Sequence, residues 1–254
     1  MTRVQDSVQQ QFGAVAAAYA TSSVHAAGED LAALLEAAKL QGGERVLDVA
    51  TGAGHTAIAL ARHGAHVTAF DLTAQMLAAA QHLAESQGVT TITYVAGDAE
   101  ALPFPDASFD IVTCRYAAHH FPHPAQAARE WARVLRPGGR LLLGDVVAPD
   151  DVASDTFLNT AEILRDPSHV RDHTIPQWTA MLEAAGLTVT VVGVFPLRLE
   201  FAAWTTRMRT PEAAAAQIRT LFAHAPASVQ ETLHLEPDGT FTCPVAVLEG
   251  EKPR

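Results

Sequence analysis

The chain has 254 residues, 48% of them hydrophobic, and a formal charge of −11 with histidine neutral. That composition suits a single domain with one globular core and excludes disorder throughout; the acidic balance, with no basic patch to offset it, argues against nucleic acid as a partner. No basic segment followed by an apolar core opens the chain and no bilayer-length apolar run occurs, so a cytoplasmic protein without stable membrane insertion is expected.

In chain order, residues 7–40 read as two Ala-rich helical runs broken around 21–28, suited to covering a pocket. From residue 45 onward, short β-branched runs alternate with helical stretches. Strands are predicted at 45–49, 66–70, 91–95, 109–114, 140–147 and 187–194, with helices at 54–63, 73–86, 124–135 and 174–185. Pro137-Gly138-Gly139 reads as a turn before the fifth strand. Residues 149–173 and 196–238 fit the alternation less well and are suited to a cap over an active site. Residues 241–249 are strand-like and suited to antiparallel pairing with the preceding strand, although Pro244 argues against a central position. The order predicts an α/β fold with a mostly parallel sheet, an antiparallel C-terminal strand and helical caps over one domain, 1–254. Ligands in such a sheet bind outside the C-terminal strand ends.

The densest signal is VLDVATGAGHTA at 46–57: an apolar strand, two close glycines and a helix start, followed by a second strand ending in Asp71. Gly52 and Gly54 allow a close backbone approach to a ligand, and Asp71 is suited to accept ribose hydroxyls. Alone, this segment fits a relaxed dinucleotide fingerprint of an NAD-dependent oxidoreductase, a nucleotide-binding protein without catalysis, or a tight turn with no ligand.

Together with GDAEALPFPDASFD at 97–110 and RVLRPGG at 133–139, the segment resembles the class I S-adenosylmethionine-dependent methyltransferases, in particular their ubiquinone and menaquinone C-methyltransferase-like branch. The resemblance spans roughly residues 10–195. It implies a Rossmann-like sheet and S-adenosylmethionine as cofactor. It also implies Asp48 and the Ala50–Gly54 loop (Ala50, Gly52, Gly54) beside the methionine part, with Asp71 on the ribose. Asp98 and the Ala99 N–H would meet the adenine edge, Leu72 or Met76 its face, and Arg115 the boundary with the acceptor. Ala50 departs from a glycine common in this motif.

On the acceptor side, CRYAAHHFPHP at 114–124 offers His119 and His120 as a general base, as acceptor-binding groups or as packed imidazoles. Adjacent histidines beside a Pro-containing turn match no defined zinc motif, so no metal is expected. LRDPSHVRDH at 164–173 resembles a recurring segment of small-molecule methyltransferases. Asn159, Arg165 and His169 are candidate acceptor contacts there, with bracing by Arg–Asp pairs the other reading. The resemblance also implies that the N-terminal helices cover the pocket, with Tyr19 and His25 candidates to close it. Cys114 and Cys243 lack CxxC partners and read as separate buried thiols. The resulting expectation is methyl transfer to a small molecule, at an activated carbon of a phenol, enol or quinol, or else at oxygen or nitrogen, by a monomer or homodimer.

Overall fold

A computed structural model describes residues 3–20 and 26–254, side chains of 3, 17, 18 and 20 excepted; His25 lies outside the described residues. The elements are α1 (Arg3–Ala20), α2 (Glu29–Ala38), β1 (Arg45–Val49), α3 (His55–Arg62), β2 (His66–Asp71), α4 (Ala74–Ser86), β3 (Thr93–Ala96) and β4 (Phe109–Arg115). A single 3-10 turn (Ala118–His120) leads to α5 (Pro124–Val134), β5 (Leu135–Val146), α6 (Val152–Arg165), α7 (Ile175–Ala184) and β6 (Thr188–Leu199). After these come α8 (Phe201–Arg207), α9 (Glu212–Ala223), α10 (Ala227–Thr232) and β7 (Phe241–Glu251).

The seven strands form one sheet in the order β3-β2-β1-β4-β5-β7-β6. β1 to β5 pair in parallel, and β7 runs antiparallel between β5 and β6. Continuous apolar runs suit the central strands because helices cover both faces. Leu141 and Leu143 of β5 face a core with Trp131 and Trp178, and Leu142 between them faces Leu34, Leu60 and Val67 on the other side. A third cluster around Trp204, Phe222 and Phe241 fills the far end of β7 under α6, α8 and α9. Local chemistry starts the helices: Asp151 accepts from the Ser154 N–H at 2.9 Å to cap α6, and Thr174 with Gln177 forms a capping box on α7.

Three expectations need correction. β7 is interior despite Pro244. Its registered pairing with β5 ends at Val146 and Val245, just beyond which Val147 N–H donates to the Pro244 carbonyl at 3.0 Å. The donor that proline lacks would have pointed the same way, so only the margin of the ladder loses a bond. The RPGG run is not a turn ahead of β5 but a looped-out segment within it. Phe109 pairs with Leu135 and Ile111 with Arg140, and the loop is fastened by Gly138 N–H to the Lys252 carbonyl at 2.8 Å. β6 runs on past 194 to Leu199, because residues 195–199 pair with Phe241–Val245 on β7. Cys114 and Cys243 are free and buried, as read. Among the described residues no helix is long and apolar enough to cross a membrane.

Candidate active site

The site begins where β1 and β2 end side by side. The loop after β1 turns through left-handed backbone at Ala50 (φ 52°), Gly52 (φ 54°) and Gly54 (φ 84°). The two glycines do different work. A Cβ on Gly52 would meet nothing within 4 Å, because that residue faces open cavity. A Cβ on Gly54 would lie 2.8 Å from the Ala80 Cβ, so Gly54 is small to let α4 pack, and it does not line the cavity. Ala50 adopts the left-handed conformation that the usual glycine would take without steric cost.

Asp71 ties this loop to the next. Its Oδ2 accepts from the Gly52 N–H and its Oδ1 from the Thr73 N–H, both at 2.8 Å, which leaves further lone pairs for hydroxyl donors. Burial raises its pKa and these bonds oppose the rise. Asp48 lies beneath the loop and off the cavity wall. Its two oxygens accept from the Thr51 and Thr113 hydroxyls, each at 2.6 Å. Burial pushes its pKa up to about 6 against the pull of those hydroxyls, so it is mostly ionised at neutral pH. Through these two bonds it organises the loop from below.

After β3, Asp98 accepts from the Glu100 N–H at 2.9 Å through Oδ1 and from the Gln5 side chain through Oδ2. Gln9 on the same helix donates to the Leu72 carbonyl at 3.0 Å, so α1 lies across this rim. After β4, Arg115 is buried against Asp30 of α2 at 2.6 Å and stacks on Tyr116 at 4.6 Å. These loops enclose a cavity of about 970 Å³ counted to its mouth. Of the expected cofactor residues, Ala50, Gly52, Asp71, Leu72, Met76, Asp98, Ala99 and Arg115 line it, and so do the expected acceptor contacts Tyr19 and His120.

A second chamber of about 540 Å³ adjoins the first and shares Phe12, Tyr19, Tyr116 and His120 with it. His119 lines only this one. Its backbone N–H and Nδ1 both bond Asp145 of β5, at 3.1 and 2.7 Å. Burial pushes the imidazole down, but the Asp145 carboxylate, with Asp172 and Glu162 behind it, outweighs burial and lifts the pKa to about 9. Its Nδ1 is committed to Asp145, and the raised pKa favours the imidazolium over the neutral ring that a general base needs. His120 is the opposite case. Burial and then the His119 charge push it down to about 4. Its Nδ1–H donates to the Ser168 carbonyl at 3.0 Å, which fixes the tautomer and leaves Nε2 as an acceptor.

Arg165 also lines the second chamber, held by Glu162 at 3.0 Å and lying over the Trp204 ring at 5.0 Å. Asn159 and His169 line neither cavity. Asn159 Oδ1 accepts from His169 Nε2 at 3.1 Å and from the Asp172 N–H at 2.7 Å, bracing α6 to the loop that follows it. Burial, with the neighbouring His119 and His120, pushes His169 down to about 2, so it stays neutral. Sequence reasoning missed Asp145, Asp172 and Arg207. Asp145 carried a readable signal, an acid near the C-terminal end of a buried strand. The other two reach the chamber only through long-range packing.

These residues fit S-adenosylmethionine: the cavity has the size for it, glycine at the wall admits its tail, and acids stand on its rim at the end of β2 and just after β3. The fold and site define a Rossmann-like methyltransferase. A Methyltransferase domain pattern matches residues 47–143. The chain is 42% identical over 214 residues to the uncharacterized methyltransferase YcgJ of Bacillus subtilis (strain 168), covering 84% of this chain and 85% of that one. It is also 42% identical to the ubiquinone/menaquinone biosynthesis C-methyltransferase UbiE of Bartonella quintana, but over only 102 residues, 39% of each chain. A putative methyltransferase from Bacillus halodurans has the same fold at TM-score 0.85 and 40% identity, over 89% of this chain and all of that one. The chain belongs to the class I S-adenosylmethionine-dependent methyltransferases, and S-adenosylmethionine is its cofactor.

Proposed function

We propose that this enzyme methylates a small molecule at an activated carbon of a phenol, enol or quinol. The observation that carries the reading is the pair of adjoining chambers, one walled for the cofactor and one lined with titratable side chains, joined at Tyr19, Tyr116 and His120. S-adenosylmethionine supplies an electrophilic methyl group on a positively charged sulfur. In this reading Asp71 holds the ribose hydroxyls and Asp98 with the Ala99 N–H holds the adenine edge. Gly52 leaves room for the tail, and Asp48 favours the cation from below. His120 stands at the junction of the chambers with Nε2 available to a second polar group of the acceptor, while the His119–Asp145 pair fixes the turn that presents both histidines. Phe12, Tyr19 and Tyr116 exclude water from the line of transfer.

A carbon or oxygen acceptor is favoured over an amine. Arg165, Arg207 and His119 share the second chamber with Glu162 and Asp166, a mixed wall rather than the acid-only one that an ammonium acceptor would select. The segments 7–40, 149–173 and 196–238 cover the pocket of a single domain in this reading, and the enzyme works in the cytoplasm as a monomer or homodimer on a free small molecule, not on nucleic acid. The test is release of S-adenosylhomocysteine from S-adenosylmethionine with a panel of phenols, quinols, enols and amines, followed by locating the new methyl group. Release with phenols or quinols and a new carbon–methyl bond is expected; release with amines alone would reject the reading.

A further inference from the structure

Asp172 is 1% exposed at the wall of the second chamber, and among the described residues its buried Oδ2 has no hydrogen-bond partner. Its neighbours are all engaged: Asp145 with His119, Glu162 with Arg165, and Asp166 with the Ser168 N–H and hydroxyl at 2.8 and 2.7 Å. Nor is Asp172 loosely placed. Its N–H donates to Asn159 Oδ1 at 2.7 Å and its carbonyl accepts from Asn159 Nδ2 at 3.2 Å. Val170 and Arg171, just before it, donate to the His119 carbonyl at 2.9 and 3.0 Å. The fold thus holds a buried carboxyl firmly at the wall of the second chamber and, among the described residues, gives its Oδ2 no hydrogen bond. Buried carboxyl groups are ordinarily hydrogen-bonded because desolvation is costly, and a catalytic role is one reason for a fold to leave one open.

We propose that Asp172 is the proton acceptor of methyl transfer, taking the hydroxyl proton of a phenol- or enol-type acceptor whose reacting carbon faces the first cavity. This rests on the methyl-transfer reading given above. As the O–H bond breaks, its electron pair moves into the conjugated system and the proton passes to the Asp172 carboxylate. The acceptor carbon forms its bond to the methyl group while the methyl–sulfur bond breaks, its electron pair going to sulfur. The hydrogen on the newly methylated carbon then leaves as a proton to water, the oxygen regains its proton from Asp172, and one proton is released overall.

The groups facing Asp172 suit this role. His119 comes from the 3-10 turn, Asp145 from β5, and Glu162 and Arg165 from α6; Arg207 of α8 and Tyr19 of α1 line the same chamber. Burial raises the Asp172 pKa well above the ordinary carboxylate range, with Glu162 and Asp145 adding to the rise, while the His119 and Arg165 cations pull it back. A raised carboxyl is a stronger base than a free one and a better match to a phenolic proton.

The test uses the full chain and two substitutions, Asp172→Asn and Asp172→Ala, assayed for S-adenosylhomocysteine release with the phenol and quinol panel. S-adenosylhomocysteine affinity and thermal unfolding against pH are measured in parallel. For Asp172→Asn, affinity within twofold of wild type is expected, with kcat down about 100-fold or more and the rising limb of the kcat–pH profile gone. Because the native pKa is raised, wild type loses stability as pH rises through it, so the Asn variant should gain on wild type over that range. Added formate should restore at least tenfold of the Asp172→Ala turnover, and chloride at equal ionic strength should not. Wild-type turnover with Asp172→Asn within threefold of it, or Asp172→Ala unresponsive to formate, would overturn the assignment. A wild-type chain that binds S-adenosylhomocysteine but methylates nothing in the panel would overturn the methyl-transfer reading itself, and the assignment with it.

Discussion

Asp71 accepts two backbone N–H groups at 2.8 Å and still faces the cavity, so its carboxylate both shapes the glycine loop and remains available to hydroxyl donors. A hydrogen bond to a charged acceptor is worth about 1.5–3 kcal/mol. Asp71→Asn should therefore weaken S-adenosylhomocysteine binding by about 10- to 100-fold in titration calorimetry, with circular dichroism showing a folded chain; unchanged affinity would remove Asp71 from the ribose site. At His119 the sign runs the other way in pH. The free imidazole titrates near 6.5 and the folded one at about 9, so the Asp145 pair stabilises the fold fully below pH 6.5 and loses that effect as pH rises through about 9. The shift corresponds to about 3 kcal/mol. His119→Gln should lower the urea midpoint clearly at pH 6, with the difference from wild type shrinking by pH 10. A pH-independent difference would show that the ion pair is not what holds the turn.

At the scale of elements, the close contact between the glycine loop and α4 sets the entry to the cavity. Gly54 combines a φ of 84° with a Cβ position 2.8 Å from Ala80, so Gly54→Ala meets both left-handed strain and overpacking. The two effects together should cost about 2–4 kcal/mol, read as a lowered melting temperature. The same element shows why part of the site was legible in sequence: strand, glycine turn and helix are local, and acids at the end of β2 and just after β3 land on one rim of any parallel sheet. The errors fell where pairing partners decide. Pro244 is harmless because it sits past the end of the β5 ladder, and RPGG loops out of β5 because Leu135 already pairs with Phe109. Neither partner can be read from the local string. The division of labour between Gly52 and Gly54 was hidden for the same reason, since only Ala80 tells them apart.

Across the whole molecule, the two chambers are built by different means. The cofactor cavity gathers the ends of consecutive strands, and α1 crosses it through Gln5 and Gln9. The second chamber draws on α1, the 3-10 turn, β5, α6, the loop after it, β6 and α8, held by bonds such as Val170 N–H to the His119 carbonyl. Such long-range closure left Asp172 and Arg207 invisible to spacing arguments, while His119, prominent in sequence, proves to be engaged with Asp145. Ligand-linked stability tests the central claim most directly. Thermal unfolding of the intact chain with S-adenosylhomocysteine at about 100 times its dissociation constant should gain about 2.7 kcal/mol, a rise of several degrees, and NADH at equal concentration should give none. Stabilisation by NADH alone would contradict the account.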